Sequence, residues 1–419
     1  MGIPRTIGSS KLFTYIGTAS LLTAATLSRS QNIDRRPAVE VIGTSFHEFL
    51  SQVRSDSDKV RRNEAVDQYL GRVQTLGSPV IEESTVVFLY RGNARHVVLA
   101  GDLNGWNPAR EPLARVEGTD LFYIEKNLDK YARIEYKLVV DSTWILDPLN
   151  KRVALGGYGA NSDLWMPQYM PPGEILFRKD IPHGSVDTLV IESSLLKRSH
   201  PVFVYLPPDY GEAQAPYPSM YVTDGGEYIS LGLMVNVLDN LIAEKRIEPI
   251  IGIFVDPRTD VRDSKTSRRM SDYTMSDTFI QFLSREVRGR LLQTYRLDPD
   301  PHQTAIMGAS LGALIATYAV FTAPEVFGLC AAQSPSYWWN KSAILTQARH
   351  TTSIPVKMYI DTGTILDAQE ESRTMRDILL RKGCNLSYSE YPEGHNWMNW
   401  RARIDDILVF FWGRKARKP

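Results

Sequence analysis

The stretch Thr304 to Thr322, TAIMGASLGALIATYAVFT, decides the fold. Its first five residues form a short apolar run, and the residues after Gly312 form an apolar helix-period segment. Between them lies Gly308-Ala309-Ser310-Leu311-Gly312, a GxSxG pentapeptide. Strand, tight turn and helix in that order form the context of a nucleophile elbow. The glycines permit the turn, the serine hydroxyl stands above the sheet edge, and the helix N-terminus favours negative charge. A bare GxSxG arises by chance in roughly one chain in seven of this length. The flanking pattern, rather than the motif, therefore carries the reading of Ser310 as a nucleophile.

Working outward, runs of β-branched and apolar residues alternate with helical stretches from Gly173 to the end of the chain. The strand-like runs are Pro201–Pro207, Ser219–Asp224, Ile250–Asp256, Thr304–Gly308, Gly328–Ser334 and Lys357–Thr362. Helical patterns occupy Val235–Lys245, Ser276–Leu292, Gly312–Thr322 and Gln369–Lys382. This alternation predicts an α/β class, with a doubly wound, mainly parallel sheet over 173–419. Residues 79–172 read differently. Short alternating strands (Val86–Gly92, His96–Leu103, Leu121–Leu128, Arg133–Asp147) broken by Gly, Asn, Asp and Pro predict an all-β sandwich. Pro167, Pro171 and Pro172 mark the exit. Residues 31–78 carry apolar residues at helical spacing (Phe46, Phe49, Leu50, Val53; Val60, Val66, Leu70, Val73) and predict one or two amphipathic helices ending at Gly77-Ser78-Pro79.

Residues 1–30 have the form of a signal peptide. Arg5 and Lys11 precede the apolar run Leu12–Leu27, which is too short and too broken to span a bilayer. Export to a periplasmic or secreted location is the expectation, with cleavage near Ser28 or Ser30. The 419-residue chain holds 48 basic and 48 acidic residues. That balance argues against nucleic acid or an anionic membrane as a partner, and no stable membrane insertion is expected. Two cysteines, Cys330 and Cys384, exclude a disulfide-rich scaffold and a cysteine zinc site. No metal spacing, phosphate loop or dinucleotide fingerprint occurs, so no cofactor is expected. A homodimer is compatible with the sequence.

A serine hydroxyl needs a base, and in this topology acid and histidine follow the serine. Only His350 and His395 do so. His350 reads as a surface residue; His395, in Tyr391-Pro392-Glu393-Gly394-His395-Asn396-Trp397, is the expected general base. Its acid partner lies among Asp361, Asp367, Glu370 and Glu371, with Asp367 favoured because it sits on the loop ahead of a helix. Oxyanion donors are expected at Leu311 and at Gly225 or Gly226, whose glycines allow close backbone approach. The basic loop Arg258, Arg262, Lys265, Arg268, Arg269 follows a strand end where α/β enzymes bind ligands. It reads either as an anion site or as a solvated loop. Trp338 and Trp339 are candidates to line an acyl or aryl pocket.

Longer phrases then resemble a known family. YVTDGGEYISLG, VLDNLIAEKRIEPIIGIFVDP, AIMGASLGALIATYAVFTAPEVFG, QSPSYWW and YPEGHNWMNWR are similar to the esterase D-like α/β-hydrolases, especially enterochelin esterases and feruloyl and acetyl esterases. The resemblance runs from Gly173 to Trp412. It implies an α/β-hydrolase fold and a serine esterase acting on a small-molecule or polysaccharide ester. In it Ser310 and His395 match nucleophile and base, and Arg262 matches a basic position near the substrate cleft. Ala313 departs from the second glycine usual after the elbow, and a Glu-Tyr pair usual after the arginine is missing. The motifs VVLAGDLNGWNP and YKLVVDSTWILDP resemble an immunoglobulin-like, glycogen-binding-type module. Trp106 in its turn reads as structural more than sugar-binding. Two other readings share these features: a non-catalytic carbohydrate-binding or scaffold protein with a degenerate hydrolase fold, and an acyltransferase.

Overall fold

The computed structural model describes residues 44–212 and 215–414. The expected signal peptide at 1–30 lies outside them. Eight strands build the central sheet: β10 Ser185–Ser193, β11 Arg198–Leu206, β12 Ser219–Thr223, β13 Ile251–Val255, β14 Thr304–Ala309, β15 Leu329–Gln333, β16 Lys357–Gly363 and β17 Asn385–Tyr391. Their spatial order is β10-β11-β13-β12-β14-β15-β16-β17. The β10, β11 and β13 pairs are antiparallel, and every pair from β13 through β17 is parallel. Parallel strands are covered on both faces, which is why they read as unbroken apolar runs. In β12, Tyr221 faces one core while Met220 and Val222 face the other; Ile306 of β14 is set against Ala305 and Met307 in the same way. The strand Ser185–Ser193 escaped sequence reading because it is an edge strand whose residues are mostly exposed and polar.

Ahead of this sheet stand two antiparallel sheets. One is built from β1 Val80–Glu82, β2 Thr85–Arg91, β5 Leu121–Asn127 and β4 Ala114–Arg115 in the order β1-β2-β5-β4. The other runs β3-β6-β9-β8, from β3 Val97–Gly101, β6 Arg133–Val140, β9 Gly159–Trp165 and β8 Val153–Gly156, with β7 Thr143–Ile145 beside β6. They share one core, in which Val86, Phe88 and Phe122 of the first sheet meet Leu99, Ile134, Tyr136, Leu138 and Leu164 of the second. The expected single strand Arg133–Asp147 is in fact a hairpin. Asp141 and Ser142 take positive φ (44° and 78°) and fold β7 back onto β6. Asp141 holds that turn by accepting from the backbone N–H groups of Arg95 and His96.

The helices Phe46–Ser55 and Lys59–Leu76 form as their periodicity predicts, each with a side-chain N-cap, Ser45 and Asp58. Phe46, Phe49, Tyr69 and Val73 pack on Val87, Leu89 and Leu121 on the outer face of the first sheet, and Phe49 stacks on Tyr69 at 4.1 Å. Cys330 and Cys384 are buried and free. Among the described residues no helix is long and apolar enough to cross a membrane. Because Phe46 is fully buried, Phe46→Ala is expected to destabilise the fold by about 3–5 kcal/mol, read as a lower urea midpoint with unchanged slope.

Candidate active site

Strand order reverses direction between β12 and β14, and in such sheets the crevice at the carboxyl ends there is where ligands bind. Ser310 sits at that point, one residue past the end of β14, with φ 58° and ψ −119°. A non-glycine residue in that region is strained and persists only under tight surrounding constraint. The constraint is visible: a side chain at Gly308 or Gly312 would collide with Thr223 of β12, so both glycines are required by the approach of β12 to the turn. Leu311 opens the helix Leu311–Thr322, placing its N–H among the unpaired donors of a helix start.

His395 lies after β17, on the loop ahead of the helix Trp397–Arg401. Its Nδ1 is 2.7 Å from Asp367 Oδ1, and its ring stands edge-on to Trp400. Asp367, with a fully buried side chain, also accepts from Ala368 N–H, Gly363 N–H, Ser334 Oγ–H and Thr362 Oγ1–H. Burial would raise its pKa, yet the hydrogen bonds from His395, Ser334 and Gly363 hold it below the usual carboxylate range. The other acid candidates sit elsewhere. Asp361 is buried inside β16 on Gln333, and burial pushes it up to about 7. Glu370 and Glu371 occupy the first turn of the helix Gln369–Arg381.

Ser310 Oγ hydrogen bonds to Ser336 Oγ at 3.2 Å, not to His395, and Ser336 N–H donates to Ser310 O. Catalytic hydrogen bonds are often long until substrate binds. Ser336 lies in QSPSYWW between Pro335 and Tyr337, where a small polar residue gives no signal of its own in the sequence. Trp338 follows two residues later with half its surface exposed, and Trp339 is partly buried beside it.

Gly226 is corrected as an oxyanion donor. Its N–H is already committed to Asp256 Oδ2 at 3.0 Å, which leaves Gly225 of the two. The basic loop divides. Arg258 turns inward to the buried Asp256, and Arg269 grips Asp224 while donating to Ala309 O beside the elbow. Both are held by carboxylates. Arg262 is 87% exposed and, among the described residues, pairs with Asp260. Glu227, in the short helix Gly225–Ser230, borders this group; burial and then Asp224 push its pKa up to about 7. The turn between β8 and β9 reaches the same place, with the Gly157 backbone against Glu227 and Trp397 and with Tyr158 fully exposed beside it.

Residues 193–411 match the family model described as "Putative esterase". The chain belongs to this esterase family. It is a carboxylic ester hydrolase by that membership. It is 24% identical over 147 residues to the uncharacterized protein YbbA of Bacillus subtilis, covering 33% of this chain and 58% of that one. It is 24% identical over 283 residues to the iron(III) enterobactin esterase of Escherichia coli O6:H1, covering 64% of this chain and 67% of that one. Among solved structures, the ferric enterobactin esterase of Salmonella typhimurium superposes with a TM-score of 0.67 at 19% identity, over 80% of this chain and 95% of that one. At that identity the likeness speaks to the fold.

Glu227 yields a stability prediction. A folded-state pKa above the unfolded value near 4.5 gives stability that is fully present below 4.5 and is lost as pH rises through about 7. Glu227→Gln removes that dependence. Its Tm is expected to match wild type at pH 4.5 and exceed it by roughly 2–6 °C at pH 8, checked by calorimetry across that range.

Proposed function

We propose that this esterase works through a Ser310 acyl-enzyme, with His395 as general base and Asp367 orienting it. The observation that carries the reading is the 2.7 Å contact of His395 Nδ1 with a buried, multiply hydrogen-bonded Asp367, at the sheet edge that also bears a strained serine. Asp367 fixes the tautomer with the proton on Nδ1, leaving Nε2 free to accept the Ser310 proton. Ser310 Oγ attacks the ester carbonyl; the oxyanion is held by the N–H groups of Leu311 and Gly225. Protonated His395 then gives its proton to the leaving alcohol, and water, activated by the same imidazole, releases the acid.

For substrate we infer a bulky ester of the siderophore trilactone type. Similarity to iron(III) enterobactin esterase across 64% of the chain supports it. So does the exposed aromatic Trp338 two residues beyond Ser336. Feruloyl and acetyl esters on polysaccharide are the neighbouring class. Residues 79–172 we assign to an immunoglobulin-like module preceding a hydrolase domain at 173–419, and residues 1–30 to an export signal that delivers the chain to the periplasm or beyond.

The test is hydrolysis by the full chain of nitrophenyl acetate, methyl ferulate, acetylated xylan and a ferric catecholate trilactone. Ser310→Ala is expected to lower kcat by at least about 10⁴-fold and Asp367→Asn by about 10⁴-fold, with the trilactone the best substrate. Activity that survives Ser310→Ala would overturn the mechanism. A feruloyl or acetyl preference would overturn the substrate.

A further inference from the structure

The loop that carries His395 follows β17, the last strand of the central sheet, so no further strand of that sheet supports its outer side. The antiparallel sheet containing β6 takes that place. Arg133 N–H, at the start of β6, donates to Pro392 O at 3.2 Å, and Arg133 and Glu393 form a parallel bridge. The Arg133 guanidinium, 1% exposed, is held by Glu135 and Asp163 and donates to Asn396 Oδ1 at 3.0 Å. Asn396 Nδ2 donates in turn to Asp102 Oδ2 at 2.9 Å. Asp102, just beyond β3, is itself fixed by Glu135 N–H at 2.8 Å and by Trp106 Nε1–H at 3.3 Å. Gly394 packs so closely on the Asp102 carboxyl that no side chain fits there.

Residues 392, 393, 394 and 396 are thus all tied to the β-sandwich, while the His395 side chain, among the described residues, hydrogen bonds to Asp367. Asn396 is also the N-cap of the helix Trp397–Arg401, its Oδ1 accepting from Met398 and Asn399 N–H. The same side chain therefore links the sandwich to the start of that helix. A peptide held at both neighbours has little freedom to move its ring, and displacement of a catalytic group by about 1 Å can cost about 10²-fold in rate.

We propose that Asp102 and Arg133 of the sandwich, acting through Asn396, are positioning residues for His395, so that the sandwich is part of the catalytic centre and not an appended binding module. The inference rests on His395 being the general base. It also gives the GDLNGW turn a role in which Trp106 steadies Asp102.

The experiment compares Asp102→Ala, Asp102→Asn and Asn396→Ser in the full chain. Serine caps the helix as well as asparagine but lacks both bonds to the sandwich, so it tests the link should Asp102→Ala fail to fold. Asp147→Asn is the control. Asp147 accepts from Tyr136 inside the sandwich core and does not touch the loop. Two readouts are taken: kcat and KM on nitrophenyl acetate, and the low-field proton signal that His395→Gln removes.

Asp102→Ala and Asn396→Ser are expected to lower kcat by about 10²-fold with KM changed less than about threefold. Their low-field proton should broaden or shift. Asp102→Asn, which keeps an acceptor for Asn396 and Glu135, is expected to recover kcat to within about tenfold of wild type, and Asp147→Asn should stay near wild type. A folded Asp102→Ala or Asn396→Ser protein with kcat within twofold of wild type overturns the proposal, as does an equal loss in Asp147→Asn. If wild type shows no Ser310-dependent turnover, the esterase mechanism falls on its own. The low-field proton then still decides the positioning, and an unchanged signal in Asp102→Ala and Asn396→Ser overturns it.

Discussion

Burying a carboxylate without partners costs several kcal/mol, and Asp367 has a fully buried side chain. Its partners come from His395, Ser334, Thr362, Gly363 and Ala368. Satisfying it shapes the neighbourhood. Ser334 must turn its hydroxyl toward the carboxylate at the end of β15, which it does from a positive φ of 41°. Trp400 then donates its indole N–H to Ser334 Oγ, fixing the helix that begins just after His395. One anion therefore sets the ends of β15 and β16, the C-terminal helix and the imidazole.

The elbow imposes a second constraint of a different kind. Strain at Ser310 is tolerable because the sheet around it is rigid: β14 is buried throughout, and the helix that follows is buried along nearly all of its length. Arg269 adds a brace by joining Asp224 at the end of β12 to Ala309 O. The crevice between β12 and β14 is consequently held by hydrogen bonds on one side and packing on the other. Within this frame an inward-facing arginine needs a buried carboxylate, so Arg258 and Arg269 pair with Asp256 and Asp224, while the exposed Arg262 pairs with Asp260.

The sandwich and the central sheet meet in part across polar and charged side chains. Arg133, Glu135, Asp163, Glu393 and Arg403 are buried or nearly so along this seam. Buried ion groups add little net stability, but breaking one partner away is costly, so they fix a single arrangement of the two parts. The loop that bears His395, the proposed general base, lies against this seam. The described residues fall in one compact unit accordingly.

The sequence by itself determined the elements whose side chains follow a period. Continuous apolar runs reveal β12 to β16 because both faces of a parallel strand are covered, and GxSxG between a strand and a helix marks Ser310. Order after the serine leaves His350 and His395, and local context favours His395. Edge strands such as β10, exposed and polar, carry no such period and stayed hidden. Only the tertiary structure brought Asp367 to His395 over Asp361, Glu370 and Glu371, because that choice depends on how the chain curls after β16. It also turned Arg258 and Arg269 inward, committed the Gly226 N–H to Asp256, and laid Asp102 and Arg133 against a loop that is 294 residues from Asp102 in sequence. Such contacts depend on distance in space, and side-chain period encodes nothing about it.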